Sequence, residues 1–362
     1  MTRVLVDLLF FTGKKGGMES YVREVYGRMP SHPEIEFVGL ASTELAATDT
    51  SWFPGTIVDS GVSGENRAAW ALGELFGVSR FARRLDADLV HCPANLGPAR
   101  SRVPVVLTIH DLLPFRHPEY VPGPYARVLR AMIRRAARRA CRVLTVSRAS
   151  RDDIVRYLSV PAARVDVVPL SGTGRAGAVA GGPRLDDQVL AVGNRMPHKN
   201  FPLLLEALAL LPAESRPRLV VTGGHGADPL TPVVERLGLG PWVSLHGWLD
   251  PTELDALYAE STMVVFPTLF EGFGLPPLEA MSRGCPVVCS DLPVLHEVAG
   301  DAAAYVDPHS AASVARGIGD VLASTETRER MSLAGLARAA EFSWERTARQ
   351  TLDSLQRALA ER

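Results

Sequence analysis

The sequence predicts an α/β protein built from two doubly wound domains with parallel sheets. Three observations carry that expectation. Short β-branched runs alternate with helical patterns along the chain, most of these runs are apolar throughout, and a Gly- and Ala-rich stretch divides the chain near its middle. Strand–helix alternation is the signature of parallel β-α-β units. A strand covered by helices on both faces has no polar side to show, so it reads as a continuous apolar run. With 362 residues the chain exceeds one ordinary core and suits two.

In the first half the expected strands are RVLVDLLF, IEFVGLA, DLVHCP, PVVLTIHD, RVLTVS and VDVVPL. In the second half they are VLAVGN, RLVVTGG, VSLHG, TMVVFPT, PVVCSD and AAYVD. Helices such as FPLLLEALALLP and PTELDALYAES have amphipathic spacing. The dividing stretch SGTGRAGAVAGGP, residues 171–183, lacks periodicity and reads as a linker. The expected domains are residues 1–170 and 184–342. A closing helix over 343–362, with Ser343 as N-cap, is placed to fold back on the first domain. Ligands of open parallel sheets bind beyond the carboxyl ends of the strands, so the two domains are expected to face a cleft whose closure excludes water.

Composition excludes several classes. Hydrophobic residues at 46% with 22% charged describe a globular chain. A formal net charge of -1 gives no global attraction to nucleic acid. Cys92, Cys141, Cys285 and Cys289 form neither a disulfide framework nor a CxxC pair, and read as reduced thiols of a cytoplasmic protein. The opening MTRVLVDLLFFTGKKGG reads as a strand and its loop rather than a signal peptide. No apolar stretch is long enough to span a bilayer. Only Lys14, Lys15 and Lys199 are lysines among 39 basic residues.

The strongest motif is FPTLFEGFGLPPLEAMSRGCPVVCSD, residues 266–291. A strand ends near Pro267, a loop through Glu271, Gly272, Phe273 and Gly274 follows, and Pro276 and Pro277 open a helix. The amides of Gly274 and Leu275 then stand at a helix N-terminus, which suits anions and sugar hydroxyls. Glu279, one turn in, can accept bonds from vicinal hydroxyls such as those of a ribose, and Glu271 can do the same for a hexose. In VLAVGNRMPHKNFPLLLEAL, Arg195 and Lys199 lie four residues apart after a buried strand, a spacing that suits a diphosphate. In TGKKGGMESYVREV, Gly16 and Gly17 let backbone amides approach a phosphate, although neither a Walker loop nor GxGxxG is present. In VVLTIHDLLPF, His110 and Asp111 end a buried strand, where a structural and a functional histidine are equally expected. Asp86-Ala87-Asp88 opens a strand without a ligand cluster, so no metal is expected there. ARVLRAMIRRAARRACR, residues 126–142, reads as a helix with seven arginines: a solvated face or, on a second reading, a dock for anionic lipids at the inner membrane face.

EGFGLPPLEAM, GNRMPHKN, GGMESYV, TIHD and RVLTVSRASRDDI together resemble the retaining GT-B glycosyltransferases of family four, the glycosyl transferases group 1. The likeness runs from Gly16 to FSWERTA. TIHDLLPFRHPEY and HKNFPLLLEAL lean toward bacterial O-antigen mannosyltransferase-like members. The resemblance implies two Rossmann-like domains in a GT-B arrangement and retention of anomeric configuration. It implies that Arg195 and Lys199 bind the donor diphosphate, Glu279 the ribose and Glu271 the transferred sugar. The amides of Phe273, Gly274 and Leu275 would contact sugar and phosphate, Gly17 would approach the phosphates, and His110 would sit by the reacting sugar. The base would meet SLHGWL around Gly247 and Trp248, mainly through backbone. Asn194-Arg195 departs from the Gly-Arg of many relatives. The donor is expected to be a nucleotide-diphosphate sugar, GDP-mannose-like or a UDP-sugar. The acceptor is expected to be a small molecule, a glycan or a lipid-linked hydroxyl. No metal or other cofactor is expected, because cations and amides already neutralise the departing diphosphate. The competing readings are a sugar-nucleotide epimerase on the same fold and a non-catalytic sugar-nucleotide-binding subunit.

Overall fold

The structure is a computed structural model that describes residues 1–13, 16–121, 123–172, 184–185 and 187–361. Lys14, Lys15 and residues 173–183 of the expected linker lie outside the described residues. The chain divides into two compact units, Met1–Leu170 with Trp344–Arg362, and Ser171–Ser343.

The first unit holds seven strands: β1 (Thr2–Leu8), β2 (Ile35–Ala41), β3 (Gly55–Asp59), β4 (Leu89–Cys92), β5 (Val105–Ile109), β6 (Arg142–Thr145) and β7 (Val165–Val167). They pair in parallel in the order β3-β2-β1-β4-β5-β6-β7. The central strands are buried on both faces, which is why their sequences do not alternate. Leu5, Val90, Leu107, Ile109 and Val143 pack with Ile133 and Ala137 of the helix Pro124–Arg139 into one core.

Two expectations are corrected here. β3 is not among the strands expected from the sequence. It is a short edge strand with no buried residue, so it carries no apolar run. Gly55 is required there, because a Cβ would lie 2.0 Å from the Phe37 carbonyl oxygen. The arginine-rich helix ends at Arg139. Arg142, the seventh arginine, opens β6 and is buried against Asp166 at 2.8 Å and Glu361 at 2.6 Å.

The helix Trp344–Ala360 belongs to the first unit. It lies against the helix Gly16–Gly27, buries Trp344, Ala348, Leu352 and Leu355, and its Thr347 hydroxyl donates to the Pro169 carbonyl at 2.7 Å.

The second unit holds β8 (Gln188–Val192), β9 (Arg218–Gly224), β10 (Val243–Gly247), β11 (Met263–Phe266), β12 (Val287–Ser290) and β13 (Ala303–Val306). Their order is β10-β9-β8-β11-β12-β13, again all parallel. The direction of winding reverses between β8 and β11. At such a switch point the following loops diverge to opposite faces and leave a crevice for ligand. No described helix is long and apolar enough to cross a membrane.

Candidate functional site

In the second unit, the loops after β8 and β11 are the two that flank the switch point. The loop after β8 carries Gly193 to Lys199, and the loop after β11 carries Thr268 to Gly274. Chain geometry here depends on a close approach of backbones. A Cβ on Gly223 at the end of β9 would sit 2.5 Å from the Gly193 carbonyl oxygen, and Gly223 has φ +88°.

The two loops bring Lys199 and Glu271 together. Lys199 Nζ donates to Glu271 Oε1 at 2.6 Å, and the Thr268 hydroxyl, whose one proton can also go to the His198 or Phe270 carbonyl at 3.0 Å, lies 3.1 Å from the same oxygen. The two side chains are only 14% and 13% exposed, so their attraction is little screened. The ammonium also stands 5.2 Å from the centre of the Phe266 ring. One of its three N–H donors is used by Glu271, leaving the others for a ligand oxygen.

Gly274 caps the helix Leu275–Ser282 with φ +110°, a conformation that favours glycine. A Cβ there would also meet Leu295 Cδ2 at 2.6 Å. Pro276 and Pro277 follow, so the N–H donors of this helix start are concentrated at Gly274 and Leu275. Phe273 contributes backbone only: its side chain is buried, edge-on to Phe342 at 6.0 Å.

Glu279 lies on the same helix, one turn in. It accepts a hydrogen bond from the Tyr258 hydroxyl at 2.8 Å. Burial pushes its carboxyl up, while the Tyr258 hydroxyl and the Arg283 guanidinium pull it back. Among the described residues its other oxygen makes no side-chain hydrogen bond, so it retains acceptor capacity.

Arg195, in the loop after β8, is paired within the second unit. Its Nε and Nη2 bind the Asp228 carboxylate at 2.9 and 2.7 Å. Nη1 donates to the carbonyls of Thr222 at 2.7 Å and Gly193 at 3.2 Å, and Nη2 also faces the carbonyls of Val221 and His246. Every N–H of a guanidinium is thereby engaged. Arg195 thus ties together the carboxyl ends of β8, β9 and β10.

Gly247 ends β10, and the Trp248 side chain next to it is 56% exposed. Its ring stacks on His225 with centroids 5.9 Å apart and planes at 10°. His225 lies in the same loop after β9 as Asp228, the carboxylate partner of Arg195. His225, Asp228, Tyr258, Thr268 and Arg283 were all missed in the sequence. They come from separate segments, and only the fold assembles them.

In the first unit, Gly16 and Gly17 begin the helix Gly16–Gly27 after β1. Gly16 has φ +58°, and a Cβ on either residue would meet nothing within 4 Å, so their backbone lies open. His110 follows β5. Its Nε2–H donates to the Pro93 carbonyl at 2.9 Å, which leaves Nδ1 as an acceptor. Tyr21 packs edge-on to the ring at 4.8 Å. Burial lowers the His110 pKa to about 4, so the ring is neutral at neutral pH. Asp111 turns back to accept from the Leu113 amide at 2.9 Å. Asp88 of the Asp86–Asp88 segment accepts from the Arg3 amide at 2.9 Å. Among the described residues no three His, Cys, Asp or Glu side chains converge as metal ligands would.

The chain resembles known proteins over nearly its whole length. The model of "Glycosyltransferase Family 4" matches residues 15–170, and that of "Glycosyl transferases group 1" matches residues 182–338. An O-antigen chain mannosyltransferase B of Escherichia coli is 37% identical over 80% of this chain and 76% of its own. An MMP alpha-(1->4)-mannosyltransferase of Mycolicibacterium hassiacum is 31% identical over 92% of this chain and 82% of its own. Among solved structures, sucrose-phosphate synthase from Thermosynechococcus elongatus superposes with a TM-score of 0.78 at 17% identity, covering 100% of both chains. WaaG, a glycosyltransferase involved in lipopolysaccharide biosynthesis, superposes with a TM-score of 0.74 at 16% identity, covering 97% of this chain and 98% of its own. The fold is GT-B, and the chain belongs to the group 1, family 4 glycosyltransferases.

Proposed function

We propose that the chain transfers a mannosyl residue from a nucleoside-diphosphate mannose, GDP-mannose in type, to a hydroxyl acceptor with retention and without a metal. The observation that carries this reading is the Lys199–Glu271 pair at the switch point, beside the Gly274 and Leu275 amides. Breaking the bond between the sugar's C1 and the diphosphate leaves negative charge on the diphosphate and positive charge on the ring. A lysine and oriented amides stabilise the first, and they need no reorganisation to do so. Glu271 holds the lysine in place and presents its second oxygen to a sugar hydroxyl. Glu279 takes the ribose hydroxyls. The exposed Trp248–His225 pair gives the base a stacking surface.

The sugar is read from the relatives, which are named mannosyltransferases. For retention, the acceptor oxygen attacks C1 on the face the diphosphate leaves, and the acceptor proton passes to the departing phosphate oxygen. No separate nucleophile is invoked.

A thermal-shift screen of GDP-mannose, UDP-sugars and dTDP-sugars tests the donor, because only a tightly bound donor raises the melting temperature by several degrees. GDP-mannose is expected to give the largest shift, and a larger shift from another donor overturns the assignment. Transfer followed by NMR in EDTA tests the rest. Activity lost in EDTA, or an inverted product, overturns the metal-free retaining reading. Conversion of donor without acceptor would instead indicate an epimerase.

A further inference from the structure

The first unit holds a second concentration of cations that the donor reading does not use. The helix Pro124–Arg139 carries six arginines and no acidic residue. Arg127, Arg130 and Arg134 recur at three- and four-residue spacing and so share one face. A cavity of about 390 Å³ lies over that face, lined by these three with Ala131, Phe115 and Tyr157. That volume falls within the range of small-ligand sites, about 300–1,000 Å³.

The arginines in this cavity have no anionic partner among the described residues. Arg130 makes one long bond, Nη1 to the Pro114 carbonyl at 3.4 Å. The Arg134 guanidinium lies over the Phe115 ring at 5.4 Å, and Arg156 lies over Tyr157 at 5.3 Å. Asp153, the acid at the start of the neighbouring turn, is taken by Arg116 at 3.3 Å. Like charges at this spacing repel along a helix unless an anion compensates them. Guanidinium forks match the oxygens of a phosphoryl group, and two aromatic walls accept the apolar or sugar part of its ester.

We propose that this cavity binds the phosphoryl or diphosphoryl group of a phosphate ester, as a site separate from the one around Lys199. Phe115 belongs to the short helix Leu113–Arg116, which follows His110 directly at the carboxyl end of β5. A phosphate-bearing acceptor is the ligand that fits this position in a glycosyltransferase. The ester is either soluble or carried on a lipid.

The test titrates inorganic pyrophosphate calorimetrically into the Lys199→Ala chain, so that the donor site does not dominate. It is repeated after adding Arg127→Gln, Arg130→Gln and Arg134→Gln together. These side chains make one long hydrogen bond between them, so the far-ultraviolet dichroism of the variant should match the parent. The expected result is binding in the Lys199→Ala chain that weakens at least tenfold in the arginine variant and fades with added salt. Equal affinity in both chains, or no binding in the first, overturns the proposal. Flotation with phosphatidylcholine vesicles, with and without phosphatidylglycerol, separates the sources. Flotation that needs phosphatidylglycerol and the three arginines supports a lipid-borne phosphate. Pyrophosphate binding without flotation supports a soluble ester.

Discussion

Replacing Lys199 by Ala removes the lysine at the switch point and leaves Glu271, among the described residues, with no charged partner and only the shared Thr268 hydroxyl within reach. Two effects follow, and they read out separately. Loss of one preorganised stabiliser of a developing negative charge is worth about 2.7–4 kcal/mol of barrier, or roughly 10²–10³ in turnover. Leaving a largely buried carboxylate short of a partner costs about 1–3 kcal/mol of stability. The lower part of that range fits, because Glu271 is 13% exposed and water reaches it. The assay is steady-state transfer with saturating donor and acceptor, alongside a melting curve of the same preparation. A second substitution, Glu271→Gln, should restore much of the stability lost in Lys199→Ala and none of the turnover, since it removes the unpaired charge but not the deficit at the phosphate. Turnover of the folded Lys199→Ala chain within threefold of wild type would refute the account of leaving-group stabilisation.

Three further outcomes are expected. Arg195→Ala should act on stability first, because it strands Asp228 and several carbonyls. A loss of about 3–5 kcal/mol in chemical denaturation is expected, and a hundredfold fall in turnover at unchanged stability would contradict the anchoring role. Trp248→Ala should weaken donor binding about tenfold, the lower range of base–aromatic stacking, with kcat nearly constant, and an unaltered donor affinity in calorimetry would remove the base from this surface. Acid should destabilise the first unit through His91 and His110, whose pKa values burial lowers to about 3 and about 4. Both are neutral in the fold, while the unfolded chain binds protons below about pH 6.5. Stability is therefore complete above that value and falls with pH by up to about 1.4 kcal/mol per unit for each group. Buried Asp7 and Glu74 have raised pKa values and oppose this trend, so the diagnostic is His91→Gln: its melting temperature should change less between pH 7 and pH 5 than that of wild type, and an equal change would exclude His91.

The two parallel sheets were legible because a strand covered on both faces must be apolar at every position, and that leaves a mark within a few consecutive residues. β3 left none, since an edge strand with no buried residue has no such requirement. The positions of Lys199, Glu271 and Glu279 after β8 and β11 were legible for a related reason. Each lies within a short segment whose strand, turn and helix signals agree, and the Gly274 and double-proline turn can form in few other ways.

The partners of Arg195 inside the protein were not legible. Its position in the loop after β8 is a local matter, but the direction of its side chain is set by Asp228, 33 residues away, and by carbonyls of two other strands. The same holds for Trp248, whose stacking partner His225 comes from the loop after the neighbouring strand, and for the cavity that joins Phe115 and Tyr157 to the arginine face. By itself, then, the sequence determined the fold class, the order of elements and the residues beside the switch point, because local periodicity and turn chemistry encode them. The tertiary structure alone decided which charges are satisfied inside the protein and which are left for a ligand, because pairing depends on residues that only folding brings within hydrogen-bond reach.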